Sequence, residues 1–184
     1  MKRVLTAMAF LLAGFLLMGT AQAQQAQQAQ EAPEVETTTE TYGDWTLVCI
    51  EATPRACRMV QRLDVQNDQG GGRLLEVTLL RNQQGVLIVL DMPFGLDLRA
   101  GVVVQFDEND EITLPFSTCY PSGCQVIALL APEHLAQFRA GTLMRVGFRG
   151  MGQQETLVAE VSLEGSSLAL AELPEPVQPP TSGE

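Results

Sequence analysis

A period-two alternation of apolar and polar residues runs through most of this 184-residue chain and commits it to sheet. Between positions 44 and 50, Trp45, Leu47 and Cys49 share one face. After a turn at Thr53-Pro54, Cys57, Met59, Gln61 and Leu63 do the same, opposite Arg58, Arg62 and Asp64. The pattern predicts a hairpin, in which directly opposed residues lie about 4.5–5.5 Å apart at Cα, within disulfide range for Cys49 and Cys57. Residues 67–72 read as a turn-rich loop whose glycines, Gly70 to Gly72, are simply flexible. A strand follows at 73–81 with Leu75, Val77 and Leu79 on one side, and Gly85 opens a stretch at 86–90 that is apolar on both faces, as a central strand is. Further strands are expected at 102–106, 112–116, 125–130, 142–148 and 156–163. About eight or nine short strands with frequent turn signals predict an all-β sandwich or barrel.

One connector helix interrupts them. Pro132 suits a first helical position, Glu133 and Arg139 complement the helix dipole, Leu135 and Phe138 share a face, and Gly141 can end the helix. A short closing helix is expected at 166–173, with Leu168, Ala169 and Leu170 available for packing.

The two ends have different compositions. Lys2 and Arg3 precede an apolar run from Val4 to Met18 that leads to Ala21-Gln22-Ala23, which is the order of a secretory leader spanning 1–23. The run is shorter than the roughly 20 residues needed to cross a bilayer as a helix, so no transmembrane segment is expected after cleavage. Residues 24–41, rich in Gln and Ala and then acidic, read as a low-complexity spacer, and 174–184 as a Pro-rich tail; both are expected to be disordered. Between them, 42–173 is enough chain for one domain with a real core. The formal charge of −11 argues against nucleic acid or an anionic membrane surface as partner.

Four cysteines stand as two close pairs, Cys49 with Cys57 and Cys119 with Cys124. In an oxidising compartment an even count reads as disulfides. Closing such short loops costs about 2–3 kcal/mol of chain entropy, against more than about 4 for a long bridge across a sandwich, so local pairing forms more easily. The competing arrangement is that long bridge.

Reactive chemistry finds little to work with. His134 is the only histidine and has no nucleophile near it in sequence, so an ordinary surface role is expected. Bridged cysteines cannot ligate zinc, and the acidic stretch Asp107 to Glu111 lacks the glycine of a calcium loop, so neither metal nor cofactor is expected. Asp91 and Asp97 would need a defined separation to act on glycosides. Cys119 and Cys124 have four residues between them and no helix, which favours a structural clasp over a catalytic dithiol.

Several motifs occur together: Gly43-Asp44-Trp45 followed by Cys49 and Cys57; Pro93-Phe94-Gly95-Leu96 with Gly101-Val102; Pro115-Phe116 leading to Cys119 and Gly123-Cys124; and Val161-Ser162-Leu163-Glu164-Gly165. In this order they resemble the invasion-associated locus B family of bacterial envelope proteins, over 42–173. Ser166 departs from the pattern, which has an aromatic after the final glycine. The resemblance implies an exported, immunoglobulin-like β-sandwich associated by name with host-cell invasion, and no catalytic residues. The function expected is a periplasmic or secreted, non-enzymatic binding module for a protein or other envelope component. The alternatives are an envelope redox protein using Cys119 and Cys124, or a carrier of a small apolar ligand.

Overall fold

The computed structural model describes residues 36–67 and 70–176. The leader at 1–23, the spacer as far as position 35 and the tail from 177 lie outside the described residues. Five consecutive strands, β1 (Thr37–Tyr42), β2 (Trp45–Ile50), β3 (Ala56–Asn67), β4 (Gly70–Asn82) and β5 (Gly85–Met92), form an antiparallel meander. The second sheet takes β6 (Val102–Phe106) and β7 (Ile112–Leu114), whereas β8 (Thr118–Tyr120) and β9 (Gly123–Leu129) return to the first, giving the order β1-β2-β3-β4-β5-β9-β8. After helix α1 (Pro132–Ala140), strands β10 (Leu143–Arg149) and β11 (Thr156–Ser162) complete the second sheet as β11-β10-β6-β7, and α2 (Ser166–Ala171) closes the fold.

Alternation places one side of each strand in the space between the sheets. Trp45, Met59, Leu79 and Ile88 from the larger sheet and Val104 and Met144 from the smaller are all buried in one continuous core. The result is a β-sandwich with two short helices. Helix α1 matches its sequence signals: Pro132 starts it, Arg139 lies in the last turn, and the Gly141 N–H donates to the Gln137 carbonyl at 2.8 Å. Its one buried residue, Phe138, meets Trp45 edge-on at 5.5 Å and Phe106 edge-on at 6.2 Å, sealing the core at that end.

Three expectations need correction. The final residues of the expected spacer form β1, which pairs with β2 from Thr37↔Ile50 to Tyr42↔Trp45. Its Thr and Glu side chains give no apolar alternation, and what fixes it is the backbone ladder. Gly70 to Gly72 are no loop but the start of β4, paired with Val65 to Asn67 beyond a register shift at Leu63 and Asp64. In α2, Ala169 and Leu170 are buried but Leu168 is 62% exposed. Ser166, the departure from the family pattern, is buried, and its hydroxyl donates to the Phe138 carbonyl at 3.4 Å, tying α2 to α1.

Candidate interaction site

Both cysteine pairs lie at directly opposed positions of antiparallel neighbours. Cys49 on β2 faces Cys57 on β3 with Cα atoms 4.1 Å apart and sulfurs bonded at 2.11 Å. Cys119 on β8 faces Cys124 on β9 with Cα atoms 3.9 Å apart and sulfurs bonded at 2.01 Å. Their surroundings differ. Cys49 belongs to the core, whereas the second bridge joins a buried Cys124 to an exposed Cys119. Arg73 of β4 steadies that hairpin by donating from Nη2 to the Ser122 carbonyl at 2.8 Å.

Beside this bridge a cleft of about 460 Å³ opens between the loop after β5 and the turn after β10. Phe94, Leu96 and Leu98 line it from the first, Met151 from the second, and Cys119 and Cys124 from the β8–β9 hairpin. The two loops are joined: Leu96 and Gly150 form an antiparallel bridge, the Asp97 N–H donates to the Arg149 carbonyl at 2.9 Å, and the Met151 N–H donates to the Gly95 carbonyl at 2.7 Å. Leu96 therefore points into the core, while Phe94 and Met151 remain 58% and 74% exposed. Apolar side chains held in the open by a braced loop are a surface suited to docking, since their burial by a partner removes apolar area from water without a large ordering cost.

Charge borders the apolar floor on the Asp97 side. Asp97 lies 3.8 Å from Arg149 Nη2 and 3.7 Å from Arg99 Nε, so one carboxylate serves two guanidinium groups. It also accepts the Arg99 backbone N–H at 3.2 Å, which holds the loop in its turn.

The remaining candidate residues do not gather at this cleft. His134, on α1, stacks against Phe106 with ring centres 6.5 Å apart. Asp91 accepts from Gln125 Nε2 at 2.7 Å across β5 and β9, and it does not line the cleft that Asp97 lines. Asp107, the first residue of the acidic stretch, has φ of 47° and turns its carboxylate onto the backbone N–H groups of Thr142 and Leu143 and the Thr142 hydroxyl. Those hydrogen bonds hold its acid group below the usual range for aspartate, with the Thr142 backbone contributing most. Among the described residues, no group of three or more His, Cys, Asp or Glu is arranged to hold a metal ion, and no helix is long and apolar enough to cross a membrane.

Sequence reading missed Phe94, Leu98, Arg99, Arg149 and Met151 as site residues. The one available signal was two leucines, a phenylalanine and a methionine in glycine-bearing turns, where no period assigns them to a core.

The class these features define is a disulfide-stapled β-sandwich with an apolar cleft carried on braced loops. A family model described as "Invasion associated locus B (IalB) protein" matches residues 45–174. An invasion protein B homolog of Brucella abortus (strain 2308) is 35% identical over 134 residues, covering 71% of this chain and 76% of the relative. A second, from Brucella abortus biovar 1 (strain 9-941), aligns with the same identity and coverage. The crystal structure of invasion-associated protein B from Bartonella henselae is similar with a TM-score of 0.61 at 30% identity, covering 73% of this chain and 94% of that one. The chain belongs to the invasion-associated locus B family.

The family motifs have physical roles in this fold. Gly43-Asp44-Trp45 and Val161 to Gly165 lie against each other. The Asp44 N–H donates to the Glu164 carbonyl at 3.1 Å, and a side chain at Gly165 would collide with the Tyr42 carbonyl.

Proposed function

We propose that this protein is an exported, non-enzymatic interaction module of the bacterial cell envelope, periplasmic or secreted, that engages a protein or other envelope component through the cleft at Phe94, Leu98 and Met151. The observation that carries the reading is the exposure of these side chains on loops fixed by the Leu96–Gly150 bridge. Family membership supports it, and the invasion-related names of the Brucella and Bartonella proteins extend it to a contribution to host-cell invasion. On this reading 1–23 is the leader that directs export, 42–173 the working domain and 174–184 a Pro-rich tail. The pairing of Cys49 with Cys57 and of Cys119 with Cys124 serves as local clasps. The scaffold acts as immunoglobulin-like sandwiches do, by presenting connecting loops, although its larger sheet contains a five-strand meander.

Neither alternative gains support from the geometry. Cys119 sits in a strand, away from the helix N-terminus that activates a redox thiol. The space between the sheets is filled by Trp45, Met59 and Phe106, so an apolar molecule would have to use the open cleft.

The test is photo-cross-linking in intact cells from a benzophenone side chain placed at Leu98. Apart from His134, every basic residue after Arg3 is arginine, so amine-directed reagents find no side-chain target in the folded part. A discrete envelope partner that is lost on combined Phe94→Ser and Met151→Ser substitution is expected. A partner captured equally well by that variant places the interaction elsewhere.

A further inference from the structure

We infer that the occupant of the cleft is an extended polypeptide segment in which an apolar anchor residue stands next to a carboxylate, an inference that rests on the cleft being the interaction surface. Three features of the site select this chemistry. The floor is apolar and receives the anchor. At its rim, Arg99 and Arg149 share the single carboxylate of Asp97, and the Arg99 side chain is 96% exposed, so the rim has cationic capacity to spare on a chain of formal charge −11. Guanidinium groups match carboxylates in geometry as well as charge.

The third feature is the backbone. Strand β8 is the last in its sheet, and Cys119 opposes Cys124 with Cα atoms only 3.9 Å apart. At such a close antiparallel position the N–H and C=O of each residue turn away from the neighbouring strand. Cys119 thus directs a donor and an acceptor toward the open sheet edge, and it also lines the cleft. An added strand satisfies that edge, which a fatty acid or other small amphiphile does not.

The experiment uses residues 24–184 with both disulfides intact and fluorescein-labelled synthetic peptides carrying two leucines followed by two aspartates, two asparagines or two lysines. The aspartate peptide is expected to bind about fivefold more tightly than the asparagine peptide, with the lysine peptide weakest. Combined Arg99→Gln and Arg149→Gln substitution should erase the aspartate advantage and leave the asparagine peptide unaffected. Equal affinity for all three peptides, or a preference that survives the double substitution, overturns the inference while leaving the Leu98 cross-link to decide the broader reading. Binding of palmitate with no binding of any peptide overturns it in favour of a lipid-like ligand.

Discussion

The indole N–H of Trp45 donates to the carbonyl of Ser162 at 3.0 Å, linking a strand of one sheet to the last strand of the other across 117 positions of sequence. Gln61 reinforces the link by donating from Nε2 to the same carbonyl at 3.0 Å and to the Asp44 carbonyl at 3.1 Å. Both side chains are buried, so these donors satisfy backbone oxygens that have little access to water.

Trp45→Phe removes one of the two side-chain donors on the Ser162 carbonyl and part of a fully buried ring while leaving Phe138 an aromatic neighbour. A loss of about 2 kcal/mol is expected. Urea unfolding followed by circular dichroism measures it, because Trp45 is the only tryptophan and its fluorescence disappears with the substitution. An unchanged midpoint would show that Gln61 alone secures the strand.

Gly165 and Gly152 separate two demands that a left-handed residue can meet. Both have positive φ, 79° and 76°, but a Cβ at Gly165 would run into the Tyr42 carbonyl, whereas at Gly152 nothing lies within 4 Å. Gly152→Ala should cost about 1 kcal/mol for its backbone conformation alone. Gly165→Ala should cost about 2–3 kcal/mol, because it also forces the two family motifs apart. Thermal unfolding of the two variants gives the comparison, and equal melting temperatures would count against the steric argument.

What could be read from sequence was local in origin. Helix α1 announced itself through Pro132, Glu133, Arg139 and Gly141, and β6 through Val102, Val104 and Phe106, because caps and alternation act within a few residues. Strand β1 stayed hidden since Thr37 to Thr41 carry no buried apolar residue, and its existence depends on pairing with β2. Strand β8, three residues long, is too short for a pattern. The cleft was illegible for a different reason. Phe94 and Leu96 are two positions apart in one apolar loop, yet one is exposed and the other is buried by its bridge to Gly150. The partnership of Asp97 with Arg149 likewise exists only after β10 has been placed.

Asp107 gives the fold a predictable acid response. Its carboxylate accepts from the Thr142 N–H at 3.1 Å, the Leu143 N–H at 3.0 Å and the Thr142 hydroxyl at 2.9 Å, and the folded-state pKa is lowered. A lowered pKa means that the unfolded chain takes up the proton first as acid is added. The contribution is therefore whole above the unfolded value of about 3.9 and fades as pH falls through the lower folded value. Asp107→Asn keeps a side chain that tolerates positive φ but removes the charge. Unfolding measured from neutral pH to strong acid should show a shallower acid-side decline in the variant. Parallel declines would assign the acid sensitivity to other carboxylates, Glu51 first, whose pKa is lowered by the Thr38 hydroxyl and Arg55.

The two disulfides should differ in cost although their loops are alike. Sequence separations of 8 and 5 give nearly the same chain-entropy contribution, about 2–3 kcal/mol each. Replacing both members with serine adds a second effect only where the new hydroxyl is shut away from water. Cys49 is 1% exposed, so Cys49→Ser places a hydroxyl in the core, at about 1–3 kcal/mol if it finds no acceptor. Cys119 is exposed, and Cys124, though buried, borders the open cleft, so a serine at 119 stands in water and one at 124 is nearer to it than one at 49. Combined Cys49→Ser and Cys57→Ser substitution should therefore lower stability more than Cys119→Ser with Cys124→Ser, and the gap should narrow when alanine is used in both pairs. Urea titration of the four variants checks this. A smaller loss at Cys49 and Cys57 would show that the core at β2 and β3 relaxes around the hydroxyl, and a gap unchanged by alanine would locate the difference in the geometry of the bridges.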